Sequence, residues 1–252
     1  MGGRAKMTRN DFFQTAVSFL SEKHPDATCA FIAGSVVRNE ATETSDIDLV
    51  VLCPPDVLPK ACRCSTVYQG WPIEAFLQND NSLAYFWEQD IACGSPALIG
   101  MIAGGFLWPE GNERARSLQE NARAVLAAGP AELSGEEIKN LRYGLTDLLD
   151  DMEGCKKTDE LYGILSVLYQ KLANFHLRAN RCWSGGGKAL TRALRNAFPD
   201  LAEEYEAAFK SAFAGDIKPL SALADKILRP FGGRYWAGLI SYAPDIANQP
   251  AK

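Results

Sequence analysis

The stretch Phe31-Ile-Ala-Gly-Ser-Val-Val-Arg-Asn-Glu-Ala-Thr-Glu-Thr-Ser-Asp-Ile-Asp-Leu-Val-Val-Leu52 decides how the first half of this chain folds. One apolar run, Cys29 to Ala33, ends at Gly34-Ser35. A second, Ile47 to Cys53, opens directly after Asp46 and closes at Pro54-Pro55. Both have strand length and are rich in β-formers, so two buried strands are expected with a polar connection between them. Side chains alternate along a strand, which sends Asp46 and Asp48 to one side while Ile47, Leu49 and Val51 pack the other. Two carboxylates then converge at one strand end, and like charges that close call for a cation.

On the N-terminal side, Phe12, Phe13, Val17 and Leu20 recur at helical spacing after a Thr8 cap, and His24-Pro25 stops the run, predicting a helix over 8–23. On the C-terminal side, Trp71 to Leu77 reads as a third strand, with Pro72 near its start and Glu74 on the face opposite Ile73 and Ala75. From Ser82 to about 127 the pattern is helical and loop-rich. Its most apolar part, Pro96 to Trp108, carries three glycines and is too short to span a bilayer, so it reads as buried core or loop.

The segment Ala127-Ala128-Gly129-Pro130-Ala131-Glu132-Leu133-Ser134 reads as a linker, which places a boundary between a domain over 1–130 and another over 131–252. Beyond it, Ser134-x-x-Glu137 is a capping-box signature, and Ile138, Leu141, Leu145, Leu148 and Met152 repeat at helical spacing as far as Gly154. Further helices are expected over 159–181, 188–197, 201–213 and 219–228. The fold class is an α/β (α+β) first half followed by an all-α bundle.

The chemistry sits in the first half. Hard carboxylate oxygens without His or Cys suit Mg²⁺, an ion that shares itself between protein carboxylates and substrate phosphates, so a nucleoside triphosphate is the natural partner. Gly34 lets the backbone turn tightly beside a phosphate, and the Ser35 hydroxyl with the following amides, at an expected helix N-terminus, can donate to phosphate oxygens. Arg38, one turn on, either adds a charge-assisted contact or pairs with Glu40 or Glu43. Glu74 supplies the third carboxylate of a two-metal site or acts as general base on an acceptor hydroxyl.

Gly34-Ser35, ten intervening residues, Ser45-Asp46-Ile47-Asp48-Leu49 and a later apolar-Glu-apolar triplet resemble the DNA polymerase β-type nucleotidyltransferase superfamily. A compact catalytic domain followed by a helical one is similar to the aminoglycoside nucleotidyltransferases of the kanamycin and streptomycin/spectinomycin-modifying kinds. The resemblance implies a small mixed sheet flanked by helices, ATP and Mg²⁺ as co-substrate and cofactor, and an acceptor cleft between the domains. It carries metal roles to Asp46, Asp48 and Glu74 only; Ser45 joins Gly34, Ser35 and Arg38 as a candidate for binding the nucleotide. Asn39 stands where many members have Gly, and Asn tolerates left-handed backbone better than most residues.

The bulk properties agree. The chain has 252 residues, 47% of them apolar, and a formal net charge of −5. An acidic chain without a basic stripe does not hold nucleic acid by phosphate neutralisation, which disfavours polymerase activity. The seven cysteines are odd in number and several lie in apolar runs, as reduced cytoplasmic thiols do; Cys62-x-Cys64 has no second pair to make a zinc site. The start Met-Gly-Gly-Arg is followed by an amphipathic segment, and Lys6 stands where a myristoylation signal needs Ser or Thr, so a cytosolic protein is expected. A homodimer is left open.

Ser184-Gly-Gly-Gly-Lys188 departs from a phosphate loop, because Cys182 stands where Gly is needed and Ala189 where Ser or Thr is needed. Lys188 remains a candidate for nucleotide phosphates, weighed against a solvated loop lysine. His176 reads as a packed or surface histidine. Asp147, Asp150, Asp151 and Glu153 form the wet face of a helix, or an acidic wall for a polycationic acceptor. The expected activity is transfer of AMP from Mg-ATP to a hydroxyl of a small molecule, an aminoglycoside-like antibiotic foremost. The alternatives are a protein hydroxyl, as in the adenylylating antitoxin-like members, and nucleotide binding without turnover.

Overall fold

The computed structural model describes residues 9 to 240 and divides them between Ala131 and Glu132 into two compact units. The first contains helix α1 (Arg9–Lys23), strands β1 (Cys29–Ala33), β2 (Ile47–Leu52), β3 (Cys62–Tyr68) and β4 (Trp71–Gln78), helices α2 (Asp80–Cys93) and α3 (Ala97–Gly104), strand β5 (Phe106–Trp108) and helix α4 (Glu113–Ala128). The Thr8 cap expected for α1 lies outside the described residues.

The five strands form one mixed sheet in the order β3-β4-β2-β1-β5. Only β2 and β4 run parallel; β1 is antiparallel to β2 and β5, and β3 to β4. The odd positions of β2 and β4 (Ile47, Leu49, Val51, Ile73, Ala75, Leu77) pack with Phe12, Ala16, Phe19 and Leu20 of α1 in one core. On the opposite face α2 packs on β4, α3 on β1 and β2, and α4 on β1. The central strands are therefore covered on both sides, which explains their near-continuous apolar sequence.

One expectation is corrected, and two strands appear that the sequence pattern does not announce. First, Ser35 opens no helix. Glu40 N donates to Ser35 O at 2.9 Å and Asn39 N to Val36 O at 3.2 Å, with Asn39 at φ +58°. That paired closure with a left-handed residue is the Schellman arrangement, so the segment is a single turn stopped by Asn39. Second, β3 is a strand that the pattern hid, because it is a largely exposed edge with a polar sequence. It is set by a two-residue hairpin at Gln69-Gly70, both at positive φ (48° and 83°), the geometry that matches strand twist. Third, the apolar stretch from Pro96 to Trp108 splits into α3 and the short strand β5. Gly105 joins them where an added Cβ would lie 2.6 Å from Met101 O and 3.1 Å from Phe31 Cβ.

The second unit is helical: α5 (Gly135–Gly154), α6 (Thr158–Ala179), α7 (Lys188–Ala197), α8 (Pro199–Phe213), α9 (Lys218–Leu228) and a closing 3₁₀ turn (Arg229–Phe231) around their own apolar core. The capping box forms as expected: Ser134 accepts from Glu137 N, and Glu137 reaches back to Ser134 N at 2.7 Å. Among the described residues no helix is long and apolar enough to cross a membrane.

Candidate active site

Parallel pairing of β2 with β4 puts Asp48 beside Glu74, and antiparallel pairing of β1 with β2 puts Ala33 beside Asp48. The turn Gly34-Ser35, Asp46 at the mouth of β2, Asp48 and Glu74 thus gather at one end of three neighbouring strands. Each of the three carboxylates offers an oxygen within 4.8 Å of the other two. All three side chains are half-buried.

Gly34 closes the site from the β1 side. An added Cβ there would lie 2.3 Å from Asp48 Oδ2, and its φ is +91°. Both space and backbone therefore demand glycine, and the backbone lies directly against the carboxylate. Ser35 Oγ donates to Ser45 Oγ at 3.0 Å, and Ser45 Oγ also accepts from Thr42 N at 2.8 Å. Ser45 therefore ties the two ends of the connecting loop next to Asp46.

Burial pushes the Asp48 carboxyl up to about 6, and the nearby charges of Asp46 and Glu74 push the same way; Arg38 and Arg63 oppose them. Three crowded carboxylates, one of them resisting ionisation because it is buried beside two like charges, fit a divalent cation that takes hard oxygen ligands. Arg38 itself is exposed and donates through Nε to Glu40 Oε2 at 3.0 Å, which is one of its two expected roles. Lys188 opens α7 in the second unit, after Gly187.

Sequence reasoning passed over Arg63. It stands on β3, donates through Nε to Glu74 Oε1 at 2.8 Å and adds a second bond to the same oxygen from its terminal nitrogen. Its guanidinium also lies over the Phe76 ring, 5.3 Å from the centroid. The signal was the Gln69-Gly70 pair: counting back from a two-residue turn sets Ser65 opposite Glu74 and Arg63 opposite Phe76, which is the observed register.

Residues 14–89 match the family model of a nucleotidyltransferase domain, a range that contains the Gly34-Ser35 turn and all three carboxylates. No curated protein matches. Among solved structures, a nucleotidyltransferase-like protein from Exiguobacterium sibiricum 255-15 aligns with a TM-score of 0.45 at 13% identity, covering 86% of this chain and 74% of that chain. The family match therefore lies within the first unit and takes in an acidic triad able to hold metal.

Proposed function

We propose that this chain transfers AMP from Mg-ATP to a hydroxyl of a small molecule. The convergence of Asp46, Asp48 and Glu74 beside the Gly34-Ser35 turn carries the reading, since it sets a hard-cation site directly against a tight glycine turn. Bound Mg²⁺ would neutralise the carboxylates, polarise phosphate oxygens and acidify the acceptor hydroxyl.

The chain's own residues do the rest. Gly34 and Ser35 hold the triphosphate at the β1 side of the site, and Arg38 stands within electrostatic reach of Asp48 on the connecting turn. The acceptor oxygen forms a bond to the α-phosphorus as the bond to pyrophosphate breaks. Pyrophosphate leaves with that electron pair, and the hydroxyl proton passes to Glu74 or, where Glu74 ligates metal, to solvent.

An aminoglycoside is the acceptor that the resemblance nominates. The acidic face of α5 supports it less than its sequence promises, because Arg234 already meets Asp150 at 3.3 Å and Glu153 at 2.6 Å. The direct test is pyrophosphate release from Mg-ATP against a panel of hydroxyl acceptors, aminoglycosides included. The double variant Asp46→Ala/Asp48→Ala is the control. Release that needs both an acceptor and the aspartates supports the reading; release that persists in the double variant rejects it.

A further inference from the structure

A cavity of about 380 Å³ opens in the first unit, lined by residues of β3, β4, α2 and α3, a volume in the range of small-molecule sites. Alternation along β4 puts Glu74, Phe76 and Gln78 on one face of the sheet, so the cavity shares that face with the carboxylates. Phe76, Phe86 and Met101 give it apolar walls, while Arg63, Gln78 and Asp90 supply the polar groups.

Two of those three polar groups are already engaged. Asp90 accepts from Leu98 N at 2.8 Å and Ile99 N at 3.0 Å, which caps α3, and Arg63 is held by Glu74. Gln78 is different. The residue is 6% exposed and its Oε1, buried, has no hydrogen-bond partner among the described residues. Such an atom is costly to leave alone, and a turn of the Gln78 amide toward the cavity would let a ligand donor satisfy it.

We propose that this cavity is a binding site for a flat, uncharged ring carrying an N–H or O–H donor, and that, on the function proposed above, it receives the acceptor. The apolar walls and the stacked Arg63–Phe76 pair suit a ring face, and Gln78 Oε1 takes the donor. The strand rise puts about 13 Å between the Cα atoms of Glu74 and Gln78. A two-ring system with a hydrogen bond at each end spans that length, with its reacting hydroxyl at the carboxylates.

Sheet order decides between acceptor and nucleotide. The phosphate turn follows β1, Asp48 lies on β2, Glu74 on β4 and Arg63 on β3, in that spatial sequence. In-line displacement needs the attacking oxygen opposite the leaving pyrophosphate, hence on the β4–β3 side, where the cavity is. The assignment rests on the proposed function, whereas the ring site itself does not.

The test titrates 5-hydroxyindole and aminophenols into the full chain while the Met101 methyl and Gln78 side-chain amide are followed by NMR. N-methylated rings and an aminoglycoside serve as comparisons. Ala97→Trp fills the cavity from an exposed position that lines it, and Gln78→Leu removes the acceptor atom at nearly constant volume.

The rings are expected to shift both signals. Their Kd should rise about tenfold in either variant, with N-methylated rings insensitive to Gln78→Leu and Mg-ATP affinity unchanged. Absent shifts, or shifts that survive Ala97→Trp, overturn the ring site. In the pyrophosphate assay the bound rings should act as acceptors, with KM raised and kcat kept in Gln78→Leu. Rings that bind but never stimulate release, in a chain that binds Mg-ATP, overturn the acceptor assignment alone. A chain that binds rings but not Mg-ATP refutes the nucleotidyl-transfer reading and keeps the ring site.

Discussion

Gly34 and Asp48 constrain each other, since the carboxylate occupies the space that a Cβ at Gly34 would need. Gly34→Ala is expected to cost about 1–3 kcal/mol of stability, from left-handed backbone and displaced carboxylate together, and to weaken metal binding. Denaturant unfolding and a metal titration on the same samples check both effects. Asp48 makes the opposite bargain. Its carboxyl is raised from 3.8 to about 6 by burial and by its acidic neighbours, so without metal its ionisation favours the unfolded chain. The contribution of Asp48 to metal-free stability should therefore fall as pH rises from about 4 to about 6 and stay low above that. Asp48→Asn should remove this fall, stabilise the metal-free protein at pH 7.5 and abolish Mg²⁺ binding. A variant destabilised at pH 7.5, measured by thermal unfolding in chelator, would refute this electrostatic account.

Elements were legible in the sequence where burial imposed a period and hidden where pairing alone made them. The central strands β1, β2 and β4 announced themselves as apolar runs with carboxylates at their ends, and α7 through α9 by helical spacing between glycines and prolines. Strand β3 has little apolar face to show, because its partner is β4 on one side and solvent on the other. Strand β5 is three residues long and continues an apolar helix without a polar break. With β3 went Arg63, and with Arg63 the view of Glu74 as an ion-paired group. On α5 the buried stripe runs through Leu145, Leu149 and Met152, while Leu141, expected inside, is 40% exposed. A spacing pattern finds a helix more readily than the angle at which it meets its neighbours. Capping acts at this scale too. Asp90, reaching from α2, satisfies two amides of α3 that Pro96 at the cap position cannot. Asp90→Ala should cost about 1–2 kcal/mol, and Ser134→Ala at the box of α5 about 1 kcal/mol, both readable as shifts of the denaturant midpoint at unchanged slope.

Each of the two units has its own apolar core, one under the sheet and one among α5 to α9. The boundary between Ala131 and Glu132 falls in the segment that the sequence marks with Gly129-Pro130. The carboxylate cluster belongs wholly to the first unit, so damage to the second core should leave it intact. Leu172→Ala, at a fully buried position of α6, is expected to destabilise the second unit by about 2–5 kcal/mol while the metal affinity of the carboxylates stays within about twofold, as followed by unfolding and calorimetric titration. A parallel collapse of metal affinity would mean that the two cores are coupled. The central claim, that Asp46, Asp48 and Glu74 join a metal ion to a nucleoside triphosphate, is tested most directly by calorimetric titration of a non-hydrolysable ATP analogue. The wild-type chain and Asp46→Asn/Asp48→Asn are compared, each with and without Mg²⁺. The account predicts binding by the wild-type chain that requires Mg²⁺ and weakens at least about a hundredfold in the double variant; equal binding without Mg²⁺, or in the variant, would contradict it.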